Sequence, residues 1–217
     1  MLRTKLFGEF IGTMLLLTAN VGSAAMAQSL TDIDGIRILI NCISTAVALG
    51  LLIAIFGGIS GAHFNPAVSV IEFVGKRIST TQLCGYIAAQ ISGGLIGVIL
   101  ANLMYKSPAL VTSNIQRSGT GVLLGEVIAT SGLVLVINLL RIQNKGSLTP
   151  VAVGAWIASA FLFTSSTAFA NPAVTIARIW TDNISGIAPS SALTFIGAQL
   201  LGALIAAGIT TLFIEKR

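Results

Sequence analysis

Charge is scarce in this chain. Asp, Glu, Lys and Arg make up 9% of its 217 residues, against about 25% in an ordinary soluble domain, which excludes a conventional water-exposed surface. Histidine occurs once, as His63, and cysteine twice, as Cys42 and Cys84. That leaves no zinc-type ligand set and no paired-thiol motif, so no metal or cofactor is expected, and both cysteines read as small packing residues within apolar spans. No nucleophile-and-base pair and no glycine-rich phosphate loop occurs, which argues against an enzyme. The net charge of +5 does not point to nucleic acid, because the cations sit mostly between apolar stretches.

What is abundant is apolar sequence, 54% of the chain. Six stretches run roughly over Leu6–Ala27, Ile36–Phe56, Leu83–Met104, Val122–Leu140, Val151–Phe163 and Leu193–Ile214. At about 20 residues per crossing they occupy most of the chain and leave no room for a separate soluble domain. The sequence therefore predicts an all-α integral membrane protein, residues 1–217 forming one unit in a lipid bilayer. With the N-terminus inside, Arg3, Lys5, Lys76, Arg77, Arg141, Lys145, Lys216 and Arg217 fall on the cytoplasmic side. Only Arg37, Lys106, Arg117 and Arg178 fall outside, an imbalance that puts both termini in the cytoplasm of a cell membrane. Arg3, Lys5, the apolar run and Ala25-Met26-Ala27 imitate a secretory leader, but Glu9 interrupts the run and the segment has an internal copy.

That copy belongs to a duplication. Glu9-Phe10-Ile11-Gly12-Thr13 resembles Glu126-Val127-Ile128-Ala129-Thr130, Asn65-Pro66-Ala67-Val68-Ser69 resembles Asn171-Pro172-Ala173-Val174-Thr175, and Tyr86-Ile87-Ala88-Ala89-Gln90 resembles Phe195-Ile196-Gly197-Ala198-Gln199. Residues 1–110 and 118–217 thus form two repeats of three crossings each, and an odd number of crossings makes the repeats inverted. Two of the five prolines stand in the matching Asn-Pro-Ala-Val tetrapeptides. Asn is a favoured N-cap and Pro a favoured first helical residue, so each tetrapeptide starts a helix abruptly. The segments that follow, about Pro66–Val74 and Pro172–Trp180, are too short to cross a bilayer and read as re-entrant half-helices. Irregular backbone ahead of them, over Gly57–Phe64 and Thr164–Ala170, is tolerable at membrane depth only if buried or lining a wet cavity.

Inverted repeats bring the two helix starts together near the midplane. Asn65 and Asn171 can then donate hydrogen bonds to a passing solute, while the paired dipoles repel cations and disfavour a protonated water chain. Glu9 and Glu126 are costly intramembrane carboxylates. They fit either a proton relay in a secondary transporter, a reading that inverted repeats also permit, or hydrogen bonding to the exposed loop backbone.

Ser60-Gly61-Ala62-His63-Phe64-Asn65-Pro66-Ala67-Val68 closely resembles the first signature of the major intrinsic protein family, the aquaporins and aquaglyceroporins. The resemblance implies six transmembrane helices and two half-helices, usually in a homotetramer with a pore in each subunit. It implies passive flow of water or small neutral solutes, with Asn65, Pro66, Ala67, Asn171, Pro172 and Ala173 forming the pore motifs and Glu9 and Glu126 supporting the loops. It places His63 on the cytoplasmic approach, where loop structure and gating both remain open. The family's second motif commonly carries an arginine where this chain has Val174, and glycerol channels often have an aspartate where it has Thr175.

Carried over by spacing, the remaining filter positions fall on Thr45, Ala168 and either Phe161 or Ser159, depending on whether one counts from Pro150 or from Asn171. Such a constriction is expected to be wider and less charged than the usual one, similar to the bacterial aquaglyceroporin branch associated with arsenic resistance. Polyols and arsenous acid, neutral and hydroxylated, suit it. Arg178 lies four residues after Val174, on roughly the same helix face. It is either a displaced arginine lining the outer vestibule or a helix-end cation solvated in the loop.

Overall fold

The computed structural model describes residues 1–213. Ile214, which ends the sixth apolar stretch, and the counted cations Lys216 and Arg217 lie outside the described residues. The described chain is all-helical. Six helices are long and apolar enough to cross a membrane: α1 (Leu2–Leu30), α2 (Asp34–Ser60), α4 (Thr80–Met104), α5 (Thr120–Ile142), α6 (Thr149–Phe163, extended by a 3₁₀ turn at Gly146–Leu148) and α8 (Pro189–Thr211). Two short helices, α3 (Pro66–Val74) and α7 (Pro172–Ala177), follow the two Asn-Pro-Ala sequences. A 3₁₀ turn over Arg178–Trp180 continues α7, so the second short segment ends where expected but tightens in its last turn.

One boundary differs from expectation. Irregular backbone was expected from Gly57, but α2 continues to Ser60 and stops at Gly61, whose φ of 91° is left-handed. A helix satisfies its own N–H and C=O groups, and at membrane depth that outweighs the poor helix propensity of Gly57 and Gly58. The irregular connection is correspondingly short.

The two halves pack alike. In the first, α1 lies against α4 and α2; in the second, α5 lies against α8 and α6; α2 and α6 join the halves. Close approach depends on glycine: a Cβ at Gly93 would sit 2.3 Å from the Phe10 carbonyl oxygen, one at Gly97 2.3 Å from that of Met14, and one at Gly202 2.5 Å from that of Val127. Small residues let backbones meet where lipid offers no hydrophobic drive. Large side chains such as Val47, Leu51 and Leu193 face outward, as a bundle surrounded by hydrocarbon requires. Cys42 is buried, its thiol 3.3 Å from the Ala158 carbonyl oxygen. Cys84 also lies within a span, α4, but on its exposed face.

Gly97→Val is expected to push α1 off α4 and lower stability by about 1–3 kcal/mol, the usual cost of overpacking. Thermal unfolding in detergent checks this, with Gly208→Ala, where an added Cβ meets nothing within 4 Å, expected to change little.

Candidate functional site

The site is built from the two connections that precede α3 and α7. Ala62 and Phe64 in the first, and Ala168 and Ala170 in the second, take left-handed backbone with φ of 47–49°, although none is glycine. These positions stand three and one residues before Asn65 and Asn171. Such conformations persist only where surroundings over-determine them: the N–H groups of Ala62 and Ala168 donate to the Ser60 and Ser166 hydroxyls at 3.0 and 3.1 Å, and those of Phe64 and Ala170 donate to buried carboxylates. Glu9 Oε1 accepts from the Ser60 hydroxyl at 2.6 Å and the His63 N–H at 3.0 Å; its Oε2 accepts from the Phe64 N–H at 2.7 Å and Gln90 Nε2 at 2.8 Å. Glu126 repeats the pattern with the N–H groups of Phe169 and Ala170, each at 2.9 Å, and Gln199 Nε2 at 2.6 Å. Both carboxylates are fully buried and meet donors. Neither lines the cavity described below, and the backbone they bond is that of the two loops.

Gln90 and Gln199 each use the same amide nitrogen a second time, on Ser69 Oγ at 3.0 Å and Thr175 Oγ1 at 2.9 Å. In the sequence both glutamines stand out only as matching positions of the repeats. Thr175 is buried behind its half-helix and does not border the cavity, so the residue there does not act on the constriction directly.

Each asparagine caps its own half-helix and bonds across to the other loop. Asn65 Oδ1 accepts from the Ala67 N–H at 2.9 Å, and Asn171 Oδ1 accepts from those of Ala173 at 2.9 Å and Val174 at 3.3 Å. Asn65 Nδ2 donates to the Ala170 carbonyl at 2.7 Å, and Asn171 Nδ2 to the Phe64 carbonyl at 2.8 Å. The crossed bonds bring the two helix starts side by side. They also take one of the two hydrogens on each amide nitrogen, leaving one per asparagine for a solute. Pro66, Ala67, Pro172 and Ala173 are buried within the short helices.

One cavity of about 670 Å³ is bordered by both asparagines. Towards one end it meets Glu72, Arg141 and Gly146; towards the other it meets Asn20, Thr45, Phe161, Ala168, Val174 and Arg178. Phe161 is 4% exposed and borders the cavity, whereas Ser159 is exposed on the outside of α6. Of the two candidates left open by spacing, only Phe161 borders the cavity.

Arg178 is left open by the sequence between the outer vestibule and the solvated loop. It is 2% exposed and borders the cavity, so it is not a cation solvated in the loop. Its guanidinium carbon lies 3.5 Å from the centroid of the Phe169 ring, and its Nε donates to the Ser185 carbonyl. Arg117 reaches the same ring at 4.9 Å and donates from Nε and Nη2 to the carbonyls of Gly186 and Ile184, each at 2.8 Å. Burial pushes the Arg117 guanidinium down to about 10, so it remains cationic at neutral pH. No motif or spacing pointed to this placement of Arg117, which depends on a loop folding back over residues 181–188.

At the opposite end, Glu72 accepts from Arg77 Nε at 2.6 Å and from Arg141 Nη2 at 2.6 Å. Burial alone would push the Glu72 carboxyl up, but the two guanidinium groups outweigh it and hold it below its ordinary value. Glu72 and Arg178 occupy equivalent places, each four residues beyond the valine of its tetrapeptide, a correspondence legible in the repeats. His63 Nδ1 lies 2.9 Å from Ser69 Oγ, and the ring packs edge-on to Tyr86 at 5.0 Å. Among the described residues, no group of three or more His, Cys, Asp and Glu side chains is arranged to hold a metal.

Comparison with known proteins agrees with this layout. Residues 2–168 match the family model described as Major intrinsic protein. The chain is 42% identical over 205 residues to Aquaglyceroporin AqpS of Rhizobium meliloti (strain 1021), covering 94% of this chain and 88% of that protein. It is 31% identical to Aquaporin NIP3-1 of Arabidopsis thaliana over 81% of this chain and 58% of that protein. The X-ray structure of the aquaglyceroporin from Plasmodium falciparum superposes with a TM-score of 0.78 at 24% identity, covering 96% of this chain and 95% of that one, which shows the same fold. With most of its length matched by that family model and nearly all of it aligned to an aquaglyceroporin, this chain belongs to the major intrinsic protein family, membrane channels and not enzymes.

Proposed function

We propose that the cavity is a passive path for water and small uncharged solutes, with polyols and neutral metalloid acids such as arsenous acid among those it passes. The observation that carries this reading is one cavity meeting both capped asparagines and, beyond them, the uncharged side chains of Thr45, Phe161, Ala168 and Val174. The free amide hydrogens suit a hydroxyl oxygen, and the two helix starts oppose cations. Glu72 is the only carboxylate bordering the cavity among the described residues, and it is paired with two arginines.

In this reading the halves are inverted repeats within a single channel domain, four copies assemble with one pore each, and both termini face the cytoplasm of a bacterial plasma membrane. Stopped-flow swelling of proteoliposomes tests it. Glycerol and arsenous acid are expected to enter down their own gradients, unaffected by imposed proton or sodium gradients. Accumulation of solute driven by either ion would instead establish a secondary transporter.

A further inference from the structure

We propose that Asn20 of α1 is a further specificity-determining residue of the outer constriction, where its side-chain oxygen accepts a hydrogen bond from a hydroxyl of the passing solute. The proposal rests on the channel reading above and deepens it.

Asn20 is a polar side chain in a long apolar helix, and such residues in a membrane pair with something or face a wet cavity. Two residues one turn apart on α2 hold it in place. Asn41 Nδ2 donates to the Asn20 backbone carbonyl at 2.6 Å, and Asn20 Nδ2 donates to Thr45 Oγ1 at 3.0 Å. The remaining head, Oδ1, has no partner among the described residues, although Asn20 is only 3% exposed. A buried carbonyl oxygen left without a donor is unfavourable. With the amide nitrogen on Thr45 Oγ1, no donor of the surrounding helices meets Oδ1.

Asn20 borders the cavity beside Thr45, Phe161, Val174 and Arg178. Among the described residues, Arg178 makes one side-chain hydrogen bond, from Nε, so the same end of the cavity combines an unpaired acceptor with a guanidinium that has N–H groups to give. A ligand that satisfies both must donate and accept at adjacent atoms. Neutral molecules carrying several hydroxyls, a polyol or an undissociated polyhydroxylated acid, have that chemistry. Water shares it but is small enough to re-pair with other groups when one acceptor is lost, so removing Oδ1 affects the larger solute more.

The test uses the full-length protein in proteoliposomes, with swelling recorded in glycerol for solute entry and shrinkage in sucrose for water. Asn20→Leu, close in size but without the oxygen, is expected to lower the glycerol-to-water flux ratio by roughly 2- to 10-fold, the effect of one net hydrogen bond. Asn20→Ser and Asn20→Ala, which are similar in size and differ in one oxygen, decide the matter if the leucine variant does not fold: serine is expected to give the higher ratio. An unchanged ratio in Asn20→Leu, or equal ratios for serine and alanine, would overturn the proposal. Wild-type vesicles that pass neither glycerol nor water would instead overturn the channel reading beneath it.

Discussion

Glu9→Leu and Glu126→Leu are expected to be the most destabilising single substitutions in the chain, each costing about 4 kcal/mol or more where two buried N–H groups lose their acceptor at about 1–3 kcal/mol apiece and side-chain donors are stranded as well. Leucine at position 9 strands the N–H groups of His63 and Phe64, the Ser60 hydroxyl and the Gln90 amide; at position 126 it strands the N–H groups of Phe169 and Ala170 and the Gln199 amide. Water cannot replace the carboxylates, since both are fully buried. Phe64 and Ala170, the left-handed residues directly ahead of Asn65 and Asn171, lose the bonds that hold them, so the crossed contacts between the half-helices go too. Glutamine keeps one acceptor oxygen but turns an NH₂ towards a donor, so Glu9→Gln and Glu126→Gln should fall between wild type and leucine. Thermal unfolding and size-exclusion profiles in detergent give the order. A leucine variant with the wild-type unfolding temperature would show that the loops are held by something else. Glutamine variants that lost an ion-gradient dependence of uptake would revive the relay.

Features set by local chemistry were legible in the sequence. Asn-Pro-Ala caps and starts a helix wherever it occurs, so the start of each half-helix could be read directly. The glutamates and glutamines were legible because the duplication displays each set twice. Rotation about a helix was harder. Ser159 and Phe161 are two residues apart, roughly 200° around a 3.6-residue turn, so an uncertainty of two in counting exchanges a side chain that borders the cavity for one on the outside of the bundle. Asn20 escaped because its repeat counterpart is Ile137, which borders the cavity at the equivalent place without any polar atom; the duplication points to what the halves share and is silent where they differ. The burial of Arg178 depends on Ser185 and Phe169, contacts made by the return of a loop, and no periodicity encodes them.

Arg178 sharpens what Val174→Arg should do. Val174 is 7% exposed and borders the cavity, so a guanidinium introduced there fills space at the constriction and adds a second positive charge about one turn from Arg178. Glycerol, which must fit its full width past that point, is expected to slow roughly 30-fold for a barrier raised by about 2 kcal/mol, while water slows much less. Repulsion between two close guanidinium groups would also destabilise the variant, and this is separable from the filter effect. In the double variant Val174→Arg with Arg178→Ala, a single arginine is moved one turn inwards without a like-charged neighbour. If Val174 sets the width, the double variant regains stability but keeps the low glycerol-to-water ratio. If glycerol flux recovers along with stability, the loss in the single variant came from charge repulsion, and Val174 is not the residue that determines solute size.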